Sequence, residues 1–158
     1  MGKTRKRTTL EIGSVSEGTL ISSEIAKSLI WDLEHIHLSK ENREAVRRLS
    51  KALGMLKDNP ELGGEEAAAD ILTSLDRIAQ EVCPDYCWFG ASPGDGADIG
   101  VWPDPELLRH CAEDVHFGER AGAAKSDTHC LEVNDHGNAT LFRRVGATNR
   151  WVEVWAVV

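Results

Sequence analysis

The stretch Cys87–Asp104, CWFGASPGDGADIGVWPD, decides how this chain is to be read. Two short aromatic-containing runs, Cys87–Ala91 and Asp98–Trp102, flank a loop of glycine, proline and aspartate. Gly94 and Gly96 permit backbone angles closed to other residues, and Asp95 and Asp98 favour turns by accepting bonds from nearby backbone. The stretch predicts a β-hairpin with two carboxylates at its tip and a tryptophan, Trp88 or Trp102, on each arm.

Upstream of the hairpin the periodicity is helical. Ala68, Ile71, Leu72, Leu75, Ile78, Ala79 and Val82 form a wide apolar stripe over a helix from about 65 to 82, which Pro84 helps to end. The break DNPELGG at Asp58–Gly64 separates it from a helix that starts after Ser39 and buries Val46, Leu49, Leu53 and Leu56. A first helix, capped by Ser22 or Ser23, carries Ile25, Leu29, Leu33 and Ile36 at helical spacing. Trp31 falls off that stripe, so it either widens the packed interface or faces a partner. Thr8–Ile12 reads as a short strand.

Downstream, Asp104-Pro105 opens a short helix, PELLRHCAED, and Val115–Asp127 reads as a loop. Thr128–Asn134 and Ala139–Val145 then alternate around a turn at Asp135–Asn138. Trp151–Val158 is a final apolar strand, with Trp151 and Trp155 expected on one face. Helices first and strands after predict an α+β fold: three helices, then a mainly antiparallel sheet of four to five strands with one short inserted helix. Residues 1–17 read as a basic flexible tail and lead-in. Residues 18–158 read as a single domain, helical over 18–83 and sheet over 84–158.

The composition, 41% hydrophobic and 28% charged over 158 residues, is that of a globular protein able to bury a core. Lys3, Arg5, Lys6 and Arg7 precede all 26 acidic residues, so the body is more acidic than the net charge of −8. An acidic body repels phosphate backbones, which leaves the tail as the one segment suited to nucleic acid. No apolar run approaches the ~20 residues needed to span a bilayer, and MGKTRKRTTLE lacks a secretory apolar core. The expected setting is the cytoplasm, with no membrane partner.

Four constellations could carry chemistry. Cys83, Cys87, His129 and Cys130, with His110, Cys111 and His116, offer sulfur and nitrogen donors for zinc. The Cys83–Cys87 spacing is not the familiar C-x2-C pair, and cysteines also pack as small hydrophobes, so no cofactor is assigned and zinc stands as the alternative. Asp95 and Asp98 could hold a hard cation, although their spacing does not follow the calcium-loop pattern. Asp98, His129, Asp135 and His136 could form an acid–base set, yet the chain has no G-x-S-x-G or H-E-x-x-H motif. The fourth reading is a binding surface, with Trp88, Asp95, Asp98, Trp102, Asp135 and His136 as its ligand- or partner-contacting residues. It is favoured, and it makes the chain a binding protein rather than an enzyme.

Three segments carry a resemblance: GTLISSEIAKSL at Gly18–Leu29, YCWFGASPGDGADIGVWPD at Tyr86–Asp104 and EVNDHGNATLF at Glu132–Phe142. Together they resemble a group of small uncharacterised phage and mobile-element proteins with a "YCYFGAHPGDGADFGFWP"-like segment and a "VNDHGNxTL"-like hairpin. The chain departs from the group at Ser92, where His or another polar residue is usual, and at Ile99 and Val101, where aromatics are usual. The resemblance implies a phage accessory protein that binds a host protein, an anti-defence inhibitor of the anti-CRISPR type among the options. The alternative is a small-ligand or metal-binding module, a nucleotide-signal sponge or a hydrolase, using the Gly-Asp loop with His129 and Asp135. A third option is a structural or assembly component, which a symmetric homo-oligomer held by the last strand would favour.

Overall fold

A computed structural model describes residues 7–110, 115–136 and 138–157; the predicted tail before Arg7, Cys111 and Gly137 lie outside them. The fold is α+β, with the three long helices ahead of all strands but one. The chain divides between Pro103 and Asp104 into two compact units, which places the focal hairpin with the helices.

The first unit runs β1 (Gly13–Ser16), α1 (Ser22–His35), α2 (Lys40–Asp58), α3 (Gly64–Glu81), β2 (Cys87–Ala91) and β3 (Ile99–Pro103). Its strands form an antiparallel sheet in the order β1-β3-β2. Leu29, Leu33, Leu75 and Ile78 are fully buried among the helices, and Phe89 and Val101 join the same core from the sheet. The stripe predicted for α1 is buried throughout and that of α3 mostly so, whereas on α2 Val46 is buried and Leu49, Leu53 and Leu56 are half-buried. Ser39 caps α2 as expected, its hydroxyl accepting from the Asn42 amide at 3.1 Å.

Two local expectations are corrected. The first strand is Gly13–Ser16, not Thr8–Ile12. The Leu10 side chain is instead buried, and its amide donates to the Val82 carbonyl at 2.9 Å. Helix α1 begins at Ser22 behind Ile21, so neither Ser22 nor Ser23 is its cap. Glu65, 42 residues downstream, accepts from the Ser23 amide at 3.1 Å and does the work assigned to a local hydroxyl.

The free edge of β2 is covered in an unusual way. Gln80 on α3 donates its side-chain amide to the Phe89 carbonyl at 2.5 Å and accepts from the Phe89 amide at 3.2 Å. One side chain thus pairs both polar groups of an edge residue, as a neighbouring strand would.

The second unit holds α4 (Pro105–His110), β4 (Val115–Phe117), β5 (His129–Val133), β6 (Ala139–Arg144) and β7 (Trp151–Val157). Asp104 caps α4 by accepting from the Glu106 and Leu107 amides, each at 2.9 Å. The sheet order is β4-β5-β6-β7, antiparallel except for the parallel β4–β5 pair. Among the described residues, seven strands in two sheets therefore stand where the sequence pattern suggested four to five in one. The expected loop Val115–Asp127 contains β4, three residues being too few to show a period.

The last strand brings a third correction. Leu141 pairs with Trp155 and Phe142 with Glu153, so Val154 is an extra residue that shifts the register. Trp155 lies opposite Leu141 and Trp151 opposite Arg144, three residues further along β6. Alternation puts Leu141 and Arg144 on opposite faces, and the two tryptophans with them.

Candidate functional site

The hairpin forms as its sequence predicts, and its pairing brings Trp88 and Trp102 directly across from each other. Phe89 and Val101 point to the helices, so Trp88, Gly90, Gly100 and Trp102 share the other face. The two glycines make the floor of that face. A Cβ on Gly90 would stand 2.3 Å from Cζ3 of Trp88, whose ring lies over it. A Cβ on Gly100 would stand 2.2 Å from the Gly13 carbonyl oxygen, so the bare glycine is what lets β1 pair with β3. The Trp102 indole N–H donates to the Gly90 carbonyl at 3.0 Å and holds the second ring in place. Both tryptophans are half-buried.

Between the strands, the Gly-Asp loop is closed by its own backbone. The Ser92 amide donates to the Asp98 carbonyl at 2.7 Å and the Asp98 amide to the Asp95 carbonyl at 3.1 Å. Asp95 Oδ1 accepts from the Ala97 amide at 2.9 Å, which accounts for that carboxylate as turn chemistry. Asp98 is different. Its Oδ1 is buried and has no hydrogen-bond partner among the described residues.

Asp135 and His136 belong to the second unit, exposed at the β5–β6 turn. The residue that organises this turn is Asn134, which sequence reasoning counted as strand. Its Oδ1 accepts from the His136 and Asn138 amides at 2.9 and 3.0 Å. The six expected contact residues thus divide into four on the first unit and two on the second.

The sulfur donors divide in the same way. Cys83 and Cys87 pack against the core of the first unit, and His129 and Cys130 sit on β5 of the second. Burial pushes the Cys83 thiol up to about 12, with the Asp76 charge adding to it. Burial, Cys83 and Asp85 push Cys87 up to about 12 as well. A cysteine binds zinc as its thiolate, and the environment of Cys83 and Cys87 opposes ionisation. Cys130 donates its S–H to the Gly118 carbonyl at 3.1 Å. Among the described residues, no group of three His, Cys, Asp or Glu is placed to hold a metal ion.

Two features were not legible beforehand. The first lies in the second unit, where two arginines pin the segment before β5 to the sheet. Arg120 donates to Glu132 through its backbone amide and its Nε, at 2.9 and 2.7 Å, and stacks 3.9 Å from the Phe142 ring centre. Arg144 donates to the Asp127 and Ala124 carbonyls at 2.9 and 2.6 Å and stacks 4.3 Å from Trp151. With Lys125, Asn149 and Trp151 they line a cavity of about 590 Å³. Arg120 and Glu132 are 12 residues apart, which no local pattern predicts.

The second feature is Trp31 on α1. Its side chain is 64% exposed, the largest aromatic surface left open among the described residues. The ring leans on His35 at a centroid distance of 4.1 Å, and His35 Nδ1 lies 2.6 Å from the Trp31 carbonyl. Trp31 borders a cavity of about 600 Å³ with Val15 and Ile30 on its apolar side and Glu24, Asp32 and Glu34 as its acids. Burial raises the Asp32 carboxyl above its usual range, against the opposing pull of His35 and Arg7. The off-stripe position of Trp31 was the available signal, and the structure resolves its two readings in favour of exposure.

Compared with protein families, curated proteins and solved structures, the chain matches no family model, no curated sequence and no solved structure.

Proposed function

We propose that this protein is a non-catalytic phage or mobile-element accessory protein that binds a host protein in the host cytoplasm, as an anti-defence inhibitor of the anti-CRISPR type does. The observation that carries the binding role is Trp31, a large aromatic left open on a helix whose other face is packed. Exposed tryptophans beside a concavity are the usual energetic anchors of interfaces. Glu24, Asp32 and Glu34 outnumber Lys27 around it and suit a basic partner surface, in keeping with a chain of net charge −8. The phage assignment is supported by the three resembling segments, two of which form the hairpins described above.

Trp31→Ala tests it. Tagged wild-type protein is expected to retain a host protein from lysate, and the variant to lose at least ~10-fold of that capture while keeping its melting temperature. Equal capture by both proteins would sink the reading.

A second reading is favoured by Asp98 alone. Its buried, unpartnered oxygen suits a bound ligand or ion at the Gly-Asp loop. Native mass spectrometry of wild type and Asp98→Asn decides this, because a co-purified mass should be present in the first and absent in the second.

A further inference from the structure

A groove of about 590 Å³ opens in the first unit where the start of α1, the end of α2 and the start of α3 converge. Its floor is apolar, built from Ile30 of α1, Leu53 and Leu56 of α2 and Ala68 of α3. Concave apolar sites of this size take small molecules. The groove also contains Gly54, an exposed residue inside α2. Glycine is a poor helix residue, and packing within the chain does not explain this one, since a Cβ there would meet nothing within 4 Å. Its bareness keeps the groove open.

The charges at the rim are not equivalent. Glu65 accepts from the Ser23 amide and lies in the first turn of α3, and Glu24 accepts from the Thr19 hydroxyl at 2.7 Å and lies in the first turn of α1. Both acids are offset by helix N-termini. Lys27 and Lys57 have no hydrogen bond or ion pair among the described residues. Two unengaged ammonium groups beside an apolar floor fit a ligand with an anionic end and a hydrocarbon body.

We propose that this groove binds a free single-chain amphiphile, an aliphatic chain ending in a carboxylate. The chain lies on Ile30, Leu53 and Leu56 beside Gly54, and the rim lysines take the carboxylate. The groove shares Glu24, Lys27 and Ile30 with the cavity beside Trp31, but Trp31 itself does not line it, so the proposal stands or falls without the Trp31 contact.

Titration calorimetry of the full chain with monomeric dodecanoate tests the proposal. Saturable binding of one dodecanoate per chain is expected. Gly54→Leu should weaken it at least ~10-fold by filling the groove, whereas Gly54→Ala should keep it and melt higher than wild type. The double variant Lys27→Gln, Lys57→Gln should weaken dodecanoate ~10-fold and leave the weaker binding of neutral dodecanol unchanged. The proposal is overturned by the absence of saturable binding, by equal affinity in Gly54→Leu, or by dodecanol binding as tightly as dodecanoate. If Gly54→Leu does not fold, the lysine pair and the dodecanol comparison still decide.

Discussion

At the scale of single residues, the hairpin shows how close contacts make glycine obligatory. Gly100 meets backbone, which cannot swing aside as a side chain can. Gly100→Ala is expected to cost about 1–3 kcal/mol in urea unfolding, the range for forcing an extra methyl into a packed site. Gly90 meets the Trp88 ring and also has φ +157°, where an L side chain is strained, so Gly90→Ala should both destabilise the fold and alter near-ultraviolet circular dichroism by displacing the indole. Cys83 and Cys87 give a chemical test of burial. With thiols titrating at about 12, their thiolate fraction at pH 8 is roughly three orders of magnitude below that of a free cysteine. Iodoacetamide should therefore label them slowly in the native protein and quickly in guanidinium. Fast native labelling at these sites would contradict the packing described for them.

At the scale of elements, the edge of β2 depends on one side chain from a helix. Gln80→Ala leaves the Phe89 amide and carbonyl without their partner, and a loss of about 1–3 kcal/mol is expected in denaturant unfolding. Gln80→Glu keeps an acceptor for the amide but sets a carboxylate against the carbonyl, so it should recover only part of that loss. Strand β7 makes a different point. The extra residue Val154 reverses the alternation, which buries Trp155 and leaves Trp151 to stack under Arg144. Trp155→Ala is accordingly expected to cost about 3–5 kcal/mol, as a large buried aromatic does.

For the molecule as a whole, the surface around Trp31 is where stability and binding should separate. Trp31→Ala is expected to shift unfolding by no more than ~0.5 kcal/mol, because the side chain is open to solvent. Asp32 beside it carries a pH signature. Its carboxyl titrates higher in the folded chain than its ordinary 3.8, so the ionised form is the one folding penalises. The penalty is absent below the ordinary value, grows as pH rises through the folded one and is complete at neutral pH. Asp32→Asn should therefore melt higher than wild type at pH 7 and equal to it near pH 3. An equal melting temperature at pH 7 would show that burial does not control this group.

What the sequence determined by itself is whatever rests on local pattern. Apolar residues at helical spacing defined α1, α2 and α3 and the faces they bury. Glycine and aspartate between aromatic runs defined the focal hairpin, and Ser39 and Asp104 named two helix starts. Tertiary structure decided whatever depends on groups far apart in the chain. It set Glu65 at the start of α1, Gln80 on the edge of β2 and Arg120 on Glu132. It assigned the six expected contact residues to two units and left Trp31 exposed. The reason is physical: a helix stripe or a tight turn is fixed by neighbours a few residues away, whereas a long-range hydrogen bond or a strand register is chosen only when whole elements pack.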